Sequence, residues 1–233
     1  MIRLYPKGTL GAFHNEWLDS RHHFSFGDYH DRSRMGFGPL RVINDDLIRA
    51  GQGFDLHPHR DMEIITYVRL GAVHHRDSLG HQGCTAAGDV QVMSAGTGIA
   101  HAEYADPHED TTLFQIWIKP SATGLPPRWE HAVFPKALRQ DDLQLLVSGR
   151  KEDQGASVLH IHQEAAIYGG VVGDGTRLTH QVRGPTGAYV VVSAGEIDLN
   201  GTIMQTGDGA EVTDEGILSI RGLTDAELLV IEV

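Results

Sequence analysis

The chain has 233 residues, enough for one large or two small domains. Its 31 acidic residues against 19 basic ones give a formal net charge of −12, which would repel a phosphate backbone and argues against direct nucleic-acid binding. The single cysteine, Cys84, excludes an intramolecular disulfide. The first twenty residues lack the pattern of a secretory signal, and no apolar run approaches the length of a membrane-spanning helix. We therefore expect a cytoplasmic protein that does not associate with membranes.

Short apolar runs of strand length recur along the chain, with turns rich in Gly, Asp and Asn between them. In chain order they are 40–48, 62–70, 90–93, 113–118, 143–147, 188–193, 217–220 and 228–233. Helical periodicity is nearly absent, and this pattern is typical of an all-β sandwich or barrel. A polar, proline-bearing stretch at 119–135 interrupts the strands. We place a boundary there and predict an N-terminal domain of residues 1–133 and a C-terminal domain of residues 134–233.

Two segments carry metal-binding side chains two residues apart. The first contains His57 and His59, and the second contains His101 and Glu103. Successive residues of a strand point to opposite faces, so the two members of each pair share one face. If the two strands meet in one barrel, three imidazoles and one carboxylate converge on one point. That donor set suits a divalent first-row transition metal and leaves positions open on an ion that prefers six ligands.

A second carboxylate competes with Glu103 for the fourth position. Glu63 follows His59 by four residues and would face the same side of a regular strand. A further histidine pair, His160 and His162, has the same spacing in another strand-like run. Because 15 histidines in 233 residues produce such pairs by chance, and because this pair lacks the glycine frame of the first, we interpret it as an exposed strand face.

Glycines frame the first histidine pair. Gly51 precedes His57 by six residues, Glu63 follows His59 by four, and Gly71 closes the segment. This frame resembles the first motif of the cupin superfamily, with one extra residue before the closing glycine.

The segment 88–101 resembles the second cupin motif, with Ser94 in place of the usual proline and His101 two residues later than in the general pattern. These departures match one cupin subfamily, the pirin family. The runs that carry the resemblance are SFGDY at 25–29, MGFGPLRVINDD at 35–46, HPHRDME at 57–63, SAGTGIAHAE at 94–103 and QIWI at 115–118. The similarity is strong over about residues 10–120.

Resemblance to pirins implies an all-β bicupin, with two β-barrel domains and one iron in the N-terminal barrel. The residues that match the pirin metal ligands are His57, His59, His101 and Glu103. Zn, Ni, Co, Mn or Cu could occupy the same donor set. With Glu103 on the metal, Glu63 becomes either a partner of the ligands or a salt-bridged core residue.

The resemblance also implies a function. We expect an Fe(II)-dependent dioxygenase of the quercetin 2,3-dioxygenase type, which cleaves a flavonol-like substrate with O2 and releases carbon monoxide. Glu103 is the expected catalytic residue, which either leaves the metal or stays close enough to take the proton of the substrate hydroxyl. Two alternatives are a non-enzymatic iron redox sensor that binds a protein partner, as animal pirins are thought to do, and a zinc hydrolase with the same four residues. We expect a monomer.

The two halves of the chain resemble diverged copies. Gly71 and Gly88-Asp89 in the first half correspond to Gly195 and Gly207-Asp208 in the second. Counting from these glycines predicts that the ligand positions of the second half hold Gln181, Arg183, Ile220 and Gly222. These residues are poor metal ligands, and His180 is one residue out of register. We therefore expect a C-terminal cupin domain that lacks the metal ligands, and one metal per chain.

Other residues near the motifs have simpler interpretations. Gly96 and Gly98 are expected to form a tight turn, because positive φ is cheap only for glycine. Cys84 is expected to be an ordinary thiol, since no base lies within sequence reach. Six apolar residues are expected in the core, although a few could line an aromatic pocket: Phe24, Phe26, Met93, Phe114, Ile116 and Trp117.

Overall fold

A computed structural model describes residues 1–155 and 157–233, and nearly all of its regular structure is β-strand. The strands in chain order are β1 (Ile2–Tyr5), β2 (Gly11–His14), β3 (Leu18–His22), β4 (Leu40–Ile48), β5 (Gly53–His59), β6 (Glu63–Leu70), β7 (Ala72–Asp77), β8 (Gln82–Ala86), β9 (Val90–Ser94), β10 (Ile99–Ala105), β11 (Thr111–Ile118), β12 (Arg128–Ala132), β13 (Asp142–Ser148), β14 (Leu159–His160), β15 (Ala166–Val172), β16 (Arg177–Gln181), β17 (Ala188–Ala194), β18 (Glu196–Leu199), β19 (Thr202–Gln205), β20 (Gly209–Val212), β21 (Ile217–Gly222) and β22 (Ala226–Glu232). Short 3-10 helices lie at Lys7–Thr9, Lys136–Arg139 and Lys151–Asp153. The all-β prediction is confirmed. Within the described residues, no helix is long and apolar enough to cross a membrane.

The described residues form two compact units. The N-terminal unit contains Gly11–Phe134 and Leu159–Gln163, and the C-terminal unit contains Met1–Leu10, Pro135–Val158 and Glu164–Val233. Neither unit is one continuous stretch of chain, because Met1–Leu10 belongs to the C-terminal unit and Leu159–Gln163 belongs to the N-terminal unit. Residues 1–10 join the C-terminal unit because β1 pairs with β20, from Ile2 opposite Val212 to Tyr5 opposite Gly209. This pairing covers the backbone groups of β20 that would otherwise form an open sheet edge.

Two antiparallel sheets build the N-terminal unit. The larger has the strand order β12-β9-β6-β11-β4-β3-β2, and the smaller has the order β5-β10-β7-β8. Two apolar clusters of buried residues lie along these strands. One includes Leu18, Ile48 and Leu113, and the other includes Ile64 and Met93.

The C-terminal unit repeats this arrangement. Its larger sheet runs β1-β20-β17-β22-β15-β13, and its smaller sheet runs β16-β21-β18-β19. Strand for strand, β16, β21, β18 and β19 take the places of β5, β10, β7 and β8. The topology agrees with two copies of one barrel.

Candidate metal centre and substrate cavity

Three histidines converge on one point of the N-terminal unit. His57 and His59 lie on β5, and His101 lies directly opposite His57 on the paired strand β10. One ring nitrogen of each lies within 4.8 Å of the other two. The ring centroids are 4.8 Å apart for His57–His59, 4.5 Å for His57–His101 and 5.0 Å for His59–His101. The geometry allows one cation to contact all three imidazoles.

The local sequence explains why the two strands can hold this geometry. β5 is the edge strand of the smaller sheet, so Pro58 between the two histidines can lack a backbone donor without breaking a central ladder. At Gly53, any Cβ atom would lie 2.1 Å from the carbonyl oxygen of Glu103, so only glycine permits this close approach. Gly96 and Gly98 both have positive φ, +45° and +137°, as expected for the turn that leads into β10.

Two of the three histidines, His59 and His101, have lowered pKa values that favour the neutral, metal-binding form of the imidazole. Burial, reinforced by the neighbouring imidazoles, lowers the pKa of both His59 and His101 to about 3. His57 donates from Nδ1 to the backbone oxygen of Asp55 at 2.6 Å, which leaves Nε2 free as a ligand. The buried Nδ1 of His101 has no hydrogen-bond partner among the described residues. The donor set therefore fits a transition metal.

Glu103 lies beside His101 in a second group of ligating side chains. One oxygen of Glu103 and one ring nitrogen each of His75 and His101 lie within 4.8 Å of one another, and all three residues are buried. His75 also contacts Asp77 through Nε2 at 3.3 Å and stacks on Trp129 at 4.7 Å between ring centroids. The structure thus brings the histidines together in one group and places Glu103 next to His101, while its role as the fourth ligand remains a prediction.

Three neutral side chains hold the Glu103 carboxylate. Thr66 Oγ1 and Gln91 Nε2 donate to Oε1 at 3.1 Å and 2.5 Å, and Gln115 Nε2 donates to Oε2 at 3.0 Å. The orientation of the Gln115 amide follows from its other contact, since Trp117 Nε1 can only donate and contacts Gln115 Oε1 at 3.3 Å. Gln115 must then present its NH2 group to Glu103.

These donors belong to a row of polar residues that crosses the larger sheet. Cross-strand register places five buried side chains side by side: His22, Asn44, Gln115, Thr66 and Gln91. We call this set the polar row. Residues farther along the same strands form the two apolar clusters. The polar row is therefore a layer of polar side chains within an otherwise apolar barrel interior. Its members hydrogen-bond to one another or to Glu103, as expected for buried polar groups.

Glu63 lies outside both groups of ligating side chains. It is 1% exposed and accepts a hydrogen bond from Ser94 Oγ at 2.7 Å. Burial raises the pKa of this carboxyl despite that bond and a contact with the backbone of His162. Of the two carboxylates that the sequence left in competition, Glu103 is the one near the histidines.

The histidines open into a cavity of about 410 Å³. Aromatic rings form much of its wall: the rings of His59 and Trp117 meet edge to face at 4.9 Å, and those of Trp117 and Phe26 at 5.5 Å. Glu103 also lines the cavity. Four of the six expected core residues are fully buried, namely Phe24, Met93, Phe114 and Ile116. The other two, Phe26 and Trp117, line the cavity instead.

Sequence reasoning missed several cavity residues on β3 and β4. Ser20, His22, Asn44 and Asp46 are all buried and line the cavity. A signal was available, because Asn44 and Asp46 are polar residues two positions apart within the apolar run 40–48 and therefore share one face of the strand. The donors Thr66, Gln91 and Gln115 are single polar residues on three strands, and only the tertiary register brings them together.

Two other sequence features take no part in the cluster. Within the described residues, His160 and His162 belong to no group of three ligating side chains. Cys84 is an exposed residue. The pKa of its thiol is nevertheless raised, because neighbouring atoms shield the sulfur in part from water and because Asp106 and Asp89 carry negative charge. A raised pKa disfavours the nucleophilic thiolate, in agreement with an ordinary thiol.

The register of the C-terminal unit corrects the counted ligand positions. β18 pairs Leu199 with Ile220 as β7 pairs His75 with Glu103, so Ile220 takes the place of Glu103 and Leu218 that of His101. The count had assigned Ile220 and Gly222. It was wrong because Leu218 follows Gly207 by 11 residues, whereas His101 follows Gly88 by 13.

The same comparison brings His180 into register. His180 lies opposite Leu218, as His57 lies opposite His101, so His180 and not Gln181 occupies the first ligand position. His180 Nε2 contacts Glu232 Oε1 at 2.5 Å, and Arg150 donates to Glu232 Oε2 at 2.6 Å. Burial alone would raise the pKa of Glu232, but these bonds and one from the Arg183 amide lower it to about 2. In the described part of this unit, His180 belongs to no metal-ligating group.

Two barrels of one topology, one of them with a cavity that receives three histidines, define a bicupin with a candidate metal centre. Residues 6–118 match the Pirin family model, and residues 145–233 match the model described as the quercetinase C-terminal cupin domain. The chain belongs to the pirin family.

Named relatives are similar over their whole length. A pirin-like protein of Caulobacter vibrioides is 45% identical over 232 residues, covering 100% of this chain and 99% of the relative. The quercetin 2,3-dioxygenase of Escherichia coli K12 is 41% identical over 234 residues, with coverage of 100% and 99%. The crystal structure of the E. coli bacterial pirin YhhW in complex with nickel(II) has a TM-score of 0.91 and 40% identity, and the match covers 100% of this chain and 99% of that one.

Proposed function

We propose that this chain is a metal-dependent dioxygenase that cleaves flavonols of the quercetin type with O2 and releases carbon monoxide. The observation that carries the proposal is the three-histidine cluster at the wall of a cavity of about 410 Å³ with aromatic sides. A cavity of this size lies in the range of roughly 300–1,000 Å³ that is usual for small-molecule sites. The E. coli relative that bears the name quercetin 2,3-dioxygenase supports the choice of reaction.

The proposed metal ligands are His57, His59, His101 and Glu103, and the proposed metal is Fe(II). The E. coli pirin was crystallised with nickel(II), and three imidazoles with one carboxylate suit either ion. When bound, such an ion lowers the pKa of a coordinated hydroxyl and polarises an adjacent carbonyl.

The residues around the histidines have separate tasks. The rings of Phe26 and Trp117 bind the flat faces and edges of an aromatic substrate and exclude water from the histidine side of the cavity. Glu103 takes the proton of the substrate hydroxyl. Among the described residues, Oε1 of Glu103 accepts two hydrogen bonds and Oε2 accepts one, from Gln115. Oε2 would therefore be the oxygen that holds the metal, and it is the atom that takes the proton once Glu103 has left the metal.

The test combines metal analysis with turnover. Protein purified without added metal is analysed for its metal content, then loaded separately with Fe(II), Ni(II) or Zn(II) and mixed with quercetin under air. We expect loss of the flavonol and release of carbon monoxide with a redox-active ion, and neither in a His101→Ala control. Stoichiometric metal without turnover of quercetin or of other enolic substrates would contradict the proposal and favour the redox sensor. Hydrolysis by the zinc form alone would favour the zinc hydrolase.

A further inference from the structure

A buried carboxyl group, that of Asp46, faces the cavity from the larger sheet, whereas the histidines are carried by the smaller one. Asp46 is 2% exposed. Ser20, directly opposite on β3, hydrogen-bonds to it, and the remaining oxygen, Oδ1, has no hydrogen-bond partner among the described residues. An unpaired polar atom in a buried site is costly, so a ligand that supplies the missing partner is favoured.

The electrostatic surroundings of Asp46 make this carboxyl a versatile partner. Burial and the negative charges of Asp45 and Glu103 outweigh the Ser20 hydrogen bond and the charge of Arg69, and they raise the pKa of Asp46 to about 7. Near neutral pH the group is therefore present in both protonation states. It can accept a hydrogen bond from a hydroxyl group or donate one to an oxygen.

The wall beside Asp46 combines polar atoms with aromatic faces. His22 and Asn44 contact each other through Nδ1 and Oδ1 at 2.9 Å. The ring of His22 lies 5.3 Å from that of Phe26 and 6.4 Å from that of Tyr29, measured between centroids. Rings flanking a line of hydrogen-bonding groups fit a flat molecule that carries hydroxyl groups on its edge.

We propose that Asp46, supported by Ser20, binds a ring hydroxyl of the substrate other than the group held at the histidines, and so selects polyhydroxylated flavonols. This inference rests on the proposed function. A site whose buried polar atom needs a hydroxyl partner discriminates against an analogue that lacks the hydroxyl.

The experiment measures affinity without turnover. Nickel-loaded protein under nitrogen is titrated with quercetin and with 3-hydroxyflavone, which keeps the 3-hydroxyl and 4-carbonyl groups but has no further hydroxyl. We expect the wild type to bind quercetin about tenfold more tightly, the worth of one well-placed hydrogen bond. Asp46→Leu should reduce this preference to about twofold or less, and Asp46→Asn should restore most of it.

Glu63 provides the matched control. It is another buried carboxyl that accepts from a serine hydroxyl, and it does not line the cavity. Glu63→Leu should leave the preference at its wild-type value. Thermal unfolding of each variant checks that it is folded, and Ser20→Ala carries the same comparison if Asp46→Leu does not fold.

The outcomes separate this inference from the proposed function. A full preference in folded Asp46→Leu, or an equal loss of affinity for both compounds, overturns the inference because the role of Asp46 would then be structural. Equal affinities in the wild type also overturn it and leave the proposed function standing. Failure of the wild type to bind either flavonol overturns both.

Discussion

Replacing Glu103 by glutamine should destabilise the metal-free N-terminal unit by about 2–4 kcal/mol, because one of its three hydrogen bonds is lost and two donors are brought face to face. The new amide oxygen can keep the contacts that Oε1 makes with Thr66 and Gln91. Its NH2 group would then face the NH2 group of Gln115. Gln115 cannot turn over without losing the bond from Trp117, so one charge-assisted hydrogen bond is lost and two donors oppose each other. Each bond to a charged group is worth roughly 1.5–3 kcal/mol.

Glu63→Gln is the comparison variant. An amide oxygen at this position can still accept from Ser94, so we expect a loss of less than about 1.5 kcal/mol. All three tryptophans, Trp17, Trp117 and Trp129, lie in the N-terminal unit, so their fluorescence during urea unfolding reports on that unit in a chain with two units. In competition with a chelator, Glu103→Gln should likewise weaken metal binding more than Glu63→Gln does.

The refuting result is an equal or larger effect of Glu63→Gln in either assay. A double-mutant cycle sharpens the test: in a Gln115→Leu background the opposing donor is absent, so Glu103→Gln should cost less than it does in the wild type. An unchanged cost would show that the conflict with Gln115 is not its source.

Three further outcomes are expected. His57→Ala, His59→Ala and His101→Ala should each lose most of the bound metal while the far-ultraviolet circular dichroism stays that of a β protein; full stoichiometry in any of them would exclude that residue as a ligand. The metal-free protein should lose stability as the pH falls from about 6.5 towards 3, because His59 and His101 bind protons in the unfolded chain well before they do so in the folded one; a urea midpoint that is flat over this interval would contradict the lowered pKa values. His160→Ala, His162→Ala and His180→Ala should leave one metal per chain by elemental analysis, and a loss of metal in any of them would place a ligand outside the cluster described above.

The histidine cluster was predictable because its signal is local. Residues two positions apart on a strand point to the same face, and this rule places His57 with His59 and His101 with Glu103 without knowledge of the fold. The resemblance to pirins then chose Glu103 over Glu63, and the structure places Glu103 next to His101.

The other features of the fold and the site depend on which strands pair and in which register, and the local sequence pattern does not contain this information. A difference of two residues in the segment before β21 shifted the counted positions from Leu218 and Ile220 to Ile220 and Gly222. No local feature of β1 indicates that it pairs with β20. Asp46 is visible in the sequence as a polar residue within the apolar run 40–48. The sequence does not show that it lies opposite Ser20 and lines the cavity.

Three members of the polar row have apolar counterparts in the second barrel. Register aligns Thr66, Gln91 and Gln115 with Val190, Ala210 and Val230, and the last three belong to one buried cluster that also contains Leu218 and Ile220. The N-terminal barrel can therefore serve as a template for engineering a metal site into the C-terminal barrel. His180 already stands where His57 does, so Val182→His and Leu218→His would rebuild a three-histidine constellation, and Ile220→Glu with Val190→Thr, Ala210→Gln and Val230→Gln would rebuild the carboxylate and its donors. The loss of stability at each substitution would measure how much a polar, histidine-bearing interior destabilises a barrel whose interior is otherwise apolar.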